Sequence, residues 1–348
     1  MKTIKKLLAL ALVLCMMFCL SVAVFADGET TQYPGMDTVT ITKNYTLTNP
    51  GTTSPAETFE FTTLSCTDVT DAGVGVTKEN APVPTISSIT YAAGEAGSDK
   101  ATKTATITLP EYSAVGKYTY TFNEVDGEKA GVTYRSEPII LVVTVIEQNG
   151  KVRVAAVHTE AAKEDGSYDT TKGEGSTKSD TFENTYSAGK LNITKTVTGK
   201  LGDTSKYFKF TLKLEKDSLE SKTFAGSFTV SSQGSYVDKD VNKNPGTVTF
   251  GDNVFWLKDG ETITIENIPY GVKYTVTEDS YSADGYTTTM TGDSGTINAA
   301  EQTAAFTNYK DGEIDTGISL DSLPYILALA VAFGGAVVLF SRKRHVED

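Results

Sequence analysis

Leu191-Asn192-Ile193-Thr194-Lys195 decides the reading of this chain, because it alternates apolar and polar residues and then sets a lysine in the apolar phase. Successive side chains of a strand point to opposite faces, so Leu191, Ile193 and Lys195 share one face, and the two aliphatic residues make it the buried one. Further along, Tyr274-x-Val276-x-Glu278 and Phe306-x-Asn308 place a glutamate and an asparagine in the same phase of their own strands. The set also occurs earlier in the chain. Val39-x-Ile41-x-Lys43, Tyr120-x-Phe122-x-Glu124 and Phe182-x-Asn184 repeat it in the same order. Edge strands often carry a lysine that discourages aggregation, but that use does not account for a matched glutamate and asparagine.

Between these landmarks the chain reads as all-β. Thr38–Leu47, Thr104–Leu109, Lys117–Phe122, Ile139–Ile146, Phe208–Leu214, Thr247–Phe250, Thr262–Ile265 and Tyr274–Thr277 are short alternating runs rich in Thr, Val, Ile, Tyr and Phe, separated by turn residues. No amphipathic helix of useful length interrupts them, and the spacing suits two tandem immunoglobulin-like β-sandwich domains. The repeat divides the chain at residues 27–187 and 188–312. Residues 161–178, full of Gly, Ser, Thr, Lys and Asp, are predicted as a long exposed loop.

The termini set the compartment. Residues 1–26 have Lys2, Lys5 and Lys6, an apolar stretch and a small-residue site before Asp27, the layout of a secretory signal peptide. Residues 323–340 are apolar apart from Pro324 and precede Ser341-Arg342-Lys343-Arg344, so they form a transmembrane segment with a cytoplasmic basic end. The formal net charge is −13 over 348 residues, which argues against a nucleic-acid partner. Cys15 and Cys19 fall in the signal peptide, so the exported part holds Cys66 alone, read as a small buried residue, and no intrachain disulfide. His and Cys are too few for a metal site or a nucleophilic triad, and no cofactor is expected. Trp256 and Tyr270 are read as packing aromatics.

A lysine amine buried among Phe59, Phe61, Phe122 and Phe182 is driven towards its neutral, nucleophilic form. It can attack the side-chain carbonyl of an asparagine within reach, expel ammonia and leave an amide. A glutamate kept protonated by the same apolar surroundings can polarise the carbonyl and shuttle the protons. Lys43 with Asn184 and Lys195 with Asn308 are the expected partners, with Glu124 and Glu278 as autocatalytic acids. Each link would close a loop of more than 100 residues between the first and last strands of a domain.

The two ordered Lys/Glu/Asn sets, together with Lys206-x-Phe208-x-Phe210 and Phe59-x-Phe61 between a signal peptide and a hydrophobic tail, resemble the isopeptide-containing major pilins of Gram-positive bacteria, of the streptococcal shaft-pilin type. The resemblance implies a structural subunit at the cell surface, cell wall or pilus, reached through a transient membrane-anchored precursor. It also implies a sorting signal within residues 313–348. There Glu313-Ile314-Asp315-Thr316-Gly317 keeps the Thr-Gly of the usual Leu-Pro-x-Thr-Gly but has isoleucine at the proline position. A sortase would cleave between Thr316 and Gly317 and pass Thr316 to an identical subunit or to peptidoglycan, with Lys178, or less directly Lys172, as the acceptor lysine. The alternative is a monomeric wall-anchored adhesin or stalk that presents a face to a host ligand. Neither reading makes the chain an enzyme with turnover.

Overall fold

The computed structural model describes residues 35–162, 176–237 and 244–312; the signal peptide and the apolar segment 323–340 lie outside the described residues. Every extended element among them is a strand, and the helices are two single-turn 3₁₀ segments, Asp217–Leu219 and Ser282–Asp284. The chain is all-β and built from several sheets, consistent with a tandem of immunoglobulin-like units.

In the first half, the opening strand Thr38–Leu47 lies between Thr181–Tyr186, to which it is parallel, and Thr102–Thr108, to which it is antiparallel, with Thr85–Ile86 beyond. A second sheet runs in the order Ser176–Lys178, Lys151–Ala162, Ile139–Gln148, Gly116–Phe122 and Ser65–Thr70. A short pair, Glu57–Phe59 with Ile89–Tyr91, completes the half. Alternation does the sorting: Ile41 and Tyr45 from the opening strand meet Tyr118, Tyr120, Ile139 and Leu141 from the other sheet in one apolar core.

The second half repeats the scheme. Ala188–Thr198 lies between Thr262–Pro269 and Glu301–Tyr309, antiparallel to the first and parallel to the second. Phe228–Gln233, Thr247–Val248 and Thr287–Thr291 extend that sheet to six strands. Across the core, Phe208–Glu215 and Lys273–Glu278 are the inner pair of a four-stranded sheet flanked by Gly251–Leu257 and Ser294–Thr296. Leu191, Ile193, Phe208, Phe210, Phe255 and Phe306 are among the residues of a second, separate core.

Three expectations need correcting. The run Thr247–Phe250 is strand only at Thr247–Val248, and a new strand starts at Gly251, whose φ of 89° turns the chain. The ends of the supposed loop 161–178 are strand, because Ala162, Ala161 and Glu160 pair with Ser176, Thr177 and Lys178. Cys66 is half-buried rather than buried, at a register shift of the edge strand Ser65–Thr70, and burial pushes its thiol up to about 11.

The halves meet through polar contacts. Asn49 Nδ2 donates to Ala188 O (2.7 Å) and to Tyr270 Oη (2.6 Å). The Asn267 amide brackets the backbone of Thr53, accepting from its N–H at 2.9 Å and donating to its C=O at 2.8 Å. Lys222 reaches Asp126 at 2.8 Å.

Candidate functional site

The parallel strand pairs position the lysines and asparagines. In register, Lys43 faces Phe182 and Tyr45 faces Asn184; Lys195 faces Phe306 and Val197 faces Asn308. Each asparagine therefore sits two residues beyond its lysine on the neighbouring strand, on the same inward face. The glutamates come from the other sheet. Glu278 ends the strand Lys273–Glu278 opposite Phe210, and Glu124 follows Gly116–Phe122 and bridges to Phe61. Both sets thus span the core from one sheet to the other.

All of these groups are withdrawn from water: Lys43 and Asn308 have 0% exposure, and Lys195 and Asn184 have 1%. In the second half, Lys195 Nζ donates to Glu278 Oε1 and Oε2 at 3.0 and 2.9 Å, and Asn308 Nδ2 donates to the same Oε1 at 2.5 Å. In the first half, Lys43 Nζ donates to Glu124 Oε2 and Asn184 Nδ2 donates to Glu124 Oε1. One carboxyl group gathers amine and amide in each half. Aromatic rings supply the walls, with Lys43 Nζ 4.9 Å from the Phe59 centroid and Lys195 Nζ 4.3 Å from that of Phe208.

Burial sets the protonation. Loss of hydration pushes both lysines below the usual ammonium range, and their glutamate partners only partly offset it. Burial also raises the Glu278 carboxyl, against the opposing pull of Lys195 and Asn308. In the second half the direction is towards an uncharged amine beside an uncharged acid, the state in which nitrogen is a nucleophile and the acid can donate to a carbonyl. Asn184 Oδ1 and Asn308 Oδ1 are both buried without a hydrogen-bond partner. Half a turn of either amide would bring that oxygen to the glutamate, where a protonated carboxyl could satisfy and polarise it.

Lys178 is exposed on the edge strand Ser176–Lys178, in register with Glu160. Lys172, Thr316 and Gly317 lie outside the described residues. Among the described residues no group of three potential metal ligands occurs. Sequence reading missed Thr133, whose carbonyl accepts from Asn184 Nδ2 at 2.7 Å, and Arg135, which lies over the Phe182 ring at 5.5 Å. The bridge Val132–Tyr186 brings this loop to the closing strand, and no periodic pattern announces such a bridge. It also missed Glu57, a second buried carboxyl beside the first set.

Fold and site define a structural β-protein in which buried lysine, glutamate and asparagine are gathered across each core. The model of the Spy0128-like isopeptide containing domain matches residues 39–187, and that of a domain of unknown function, DUF7601, matches residues 189–310. A pilin of Streptococcus pyogenes serotype M1 is 31% identical over 335 residues, which cover 88% of this chain and 90% of that protein. The pilus tip adhesin Cpa of Streptococcus pyogenes is 32% identical over 139 residues, or 38% of this chain and 18% of that protein. The crystal structure of the major pilin from Streptococcus pyogenes is similar at 25% identity and a TM-score of 0.49, over 80% of this chain and 100% of that one. The chain belongs to the Gram-positive pilin family, as a structural pilus subunit of the cell surface.

Proposed function

We propose that the chain carries two intramolecular isopeptide bonds, Lys43–Asn184 and Lys195–Asn308, formed autocatalytically with Glu124 and Glu278 as acids. The observation that carries this is the single buried carboxyl that receives both the lysine amine and the asparagine amide, found in each half. Neutral amine attacks the amide carbon, the carboxyl holds the developing oxyanion and passes hydrogen to the leaving nitrogen, and ammonia departs. The links fasten two immunoglobulin-like sandwich domains, residues 27–187 and 188–312, between a signal peptide at 1–26 and a sorting region at 313–348. In such a domain the linked strands are the ones through which tension enters, so the amide carries load past the hydrogen-bond ladder.

Assembly follows from the sorting region. A sortase cleaves between Thr316 and Gly317 and transfers Thr316 to Lys178, or to Lys172, of another copy, or to peptidoglycan; the membrane segment 323–340 holds the precursor until then. Tryptic digestion followed by tandem mass spectrometry should yield two branched peptides, one for each lysine–asparagine pair. Only linear peptides containing free Lys195 and Asn308 would contradict the links. Sortase-dependent ladders on denaturing gels that disappear with Lys178→Ala would establish polymerisation, and a single wall-linked species would identify a monomeric stalk or adhesin.

A further inference from the structure

Beside the first set lies a second buried acid that the cross-linking scheme does not use. Glu57 opens the short strand Glu57–Phe59, is 6% exposed, and accepts a hydrogen bond from the Tyr134 hydroxyl. Its Oε2 and the hydroxyl of Tyr45 are both buried without a partner. The Phe59 ring joins these groups, with Tyr45 and Tyr91 edge-on at 5.3 and 5.7 Å and Tyr134 tilted at 5.9 Å, while the Lys43 amine sits over the same ring.

The neighbourhood is that of the Asn184 amide, whose nitrogen leaves. Asn184 Nδ2 donates to the carbonyl of Thr133, and the next residue, Tyr134, bonds Glu57. Tyr45 faces Asn184 in strand register. Glu57 also lines a cleft of about 340 Å³, open to solvent, with Tyr91, Gly127 and Lys129. Among the described residues of the second half no acid outside the set is buried to this degree; Asp259, half-buried, accepts from the Val197 N–H at 2.7 Å. Phe208 carries the Lys195 amine as Phe59 carries that of Lys43, and two residues before Phe208 stands Lys206, paired outward with Asp284 at 2.5 Å. Val197 occupies the place of Tyr45.

We infer that Glu57, with Tyr134 and Tyr45, receives the ammonia released in the first half and passes it to solvent as ammonium, a role resting on the cross-link reading. Joining Lys43 Nζ to Asn184 Cγ breaks the Cγ–Nδ2 bond, and one hydrogen moves from Nζ through Glu124 to Nδ2 to complete ammonia. Glu57 then gives its proton to that ammonia, leaving a carboxylate and an ammonium ion; the ion departs through the cleft and water returns a proton to Glu57. Burial raises the Glu57 carboxyl, which favours the acid form this step needs, with the Tyr134 hydroxyl, Lys129 and the Thr58 N–H opposing and Glu124 reinforcing. Capture as ammonium removes the nucleophile that would reverse the amide exchange.

The test follows both links in one molecule. The full chain is made by cell-free synthesis, and the branched peptide of each half is quantified against time. Glu57→Gln, which keeps shape but carries no transferable proton, should slow the first link about tenfold, below the roughly hundredfold at which direct general-acid effects begin, and leave the second unchanged. Tyr134→Phe should slow the first link alone, and Glu57→Asp should recover part of the rate. An unchanged first link in Glu57→Gln, equal slowing of both links, or no recovery with aspartate would overturn the role of Glu57. Absence of either link in the unaltered chain would instead remove the cross-link reading beneath it.

Discussion

At the scale of single residues, the decisive quantity is the cost of keeping a lysine charged away from water, several kcal/mol even when a carboxylate pairs with it. Lys43 and Lys195 have almost no exposed surface and are pushed below the ordinary ammonium range by burial, so covalent capture removes a group that is costly in either charge state. Asn308→Ala removes the electrophile while keeping Lys195 and Glu278. The second link should vanish, and calorimetry should find that half melting lower by about 10 °C or more, given ~4–5 kcal/mol for a closure of this length. The same burial lowers Lys195 from its ordinary 10.5 and raises Glu278 from its ordinary 4.5, which narrows the range between them and favours the uncharged pair. Acid protonates the amine and alkali ionises the carboxyl, so the rate of the second link should be bell-shaped, with both limbs inside that range; timed mass spectra from pH 5 to 10 check it. The lysines, glutamates and asparagines were legible because each sits in the apolar phase of an alternating strand. Glu57 was not: its strand is three residues long, too short to establish a phase.

At the scale of elements, the parallel pairing of first and last strands converts sequence spacing into reach. Lys195 opposes Phe306 and Asn308 lies two residues on, and the pairing of Lys43, Phe182 and Asn184 is the same. Register is therefore the specificity device. A one-residue insertion between Ala305 and Phe306 would turn Asn308 to the outer face, and peptide mapping should show the second link lost and the first retained. Gly199, just past Ala188–Thr198, has φ 91°, and a Cβ there would meet Lys310 O at 2.1 Å. Gly199→Ala should cost about 1–3 kcal/mol by denaturant unfolding, from strain at positive φ and the backbone clash. Most of the runs read from alternation match a strand to within a residue or two, since alternation reports burial directly, but strands such as Lys151–Ala162, Phe228–Gln233 and Gly251–Leu257 were not read. Alternation could not show the parallel pairing of Thr38–Leu47 with Thr181–Tyr186, which joins residues far apart in sequence.

At the scale of the whole molecule, two separate cores are joined by short polar contacts. The amide of Asn267 clasping Thr53, and that of Asn49 reaching Ala188 and Tyr270, hold the halves at one angle. Asn267→Ala should leave both links intact and each half nearly as stable, while small-angle scattering finds a broader distribution of lengths. No composition or periodicity foretold that joint: Asn49 and Thr53 lie outside the strands, Asn267 sits near the end of Thr262–Pro269 with φ 60°, and the contacts join residues 139 to 221 positions apart. The central claim, one amide in each core, is most directly tested by the intact mass of residues 27–313, expressed and purified as that segment. Loss of one ammonia per link should leave it about 34 Da lighter than its sequence; a mass equal to the sequence would contradict the account.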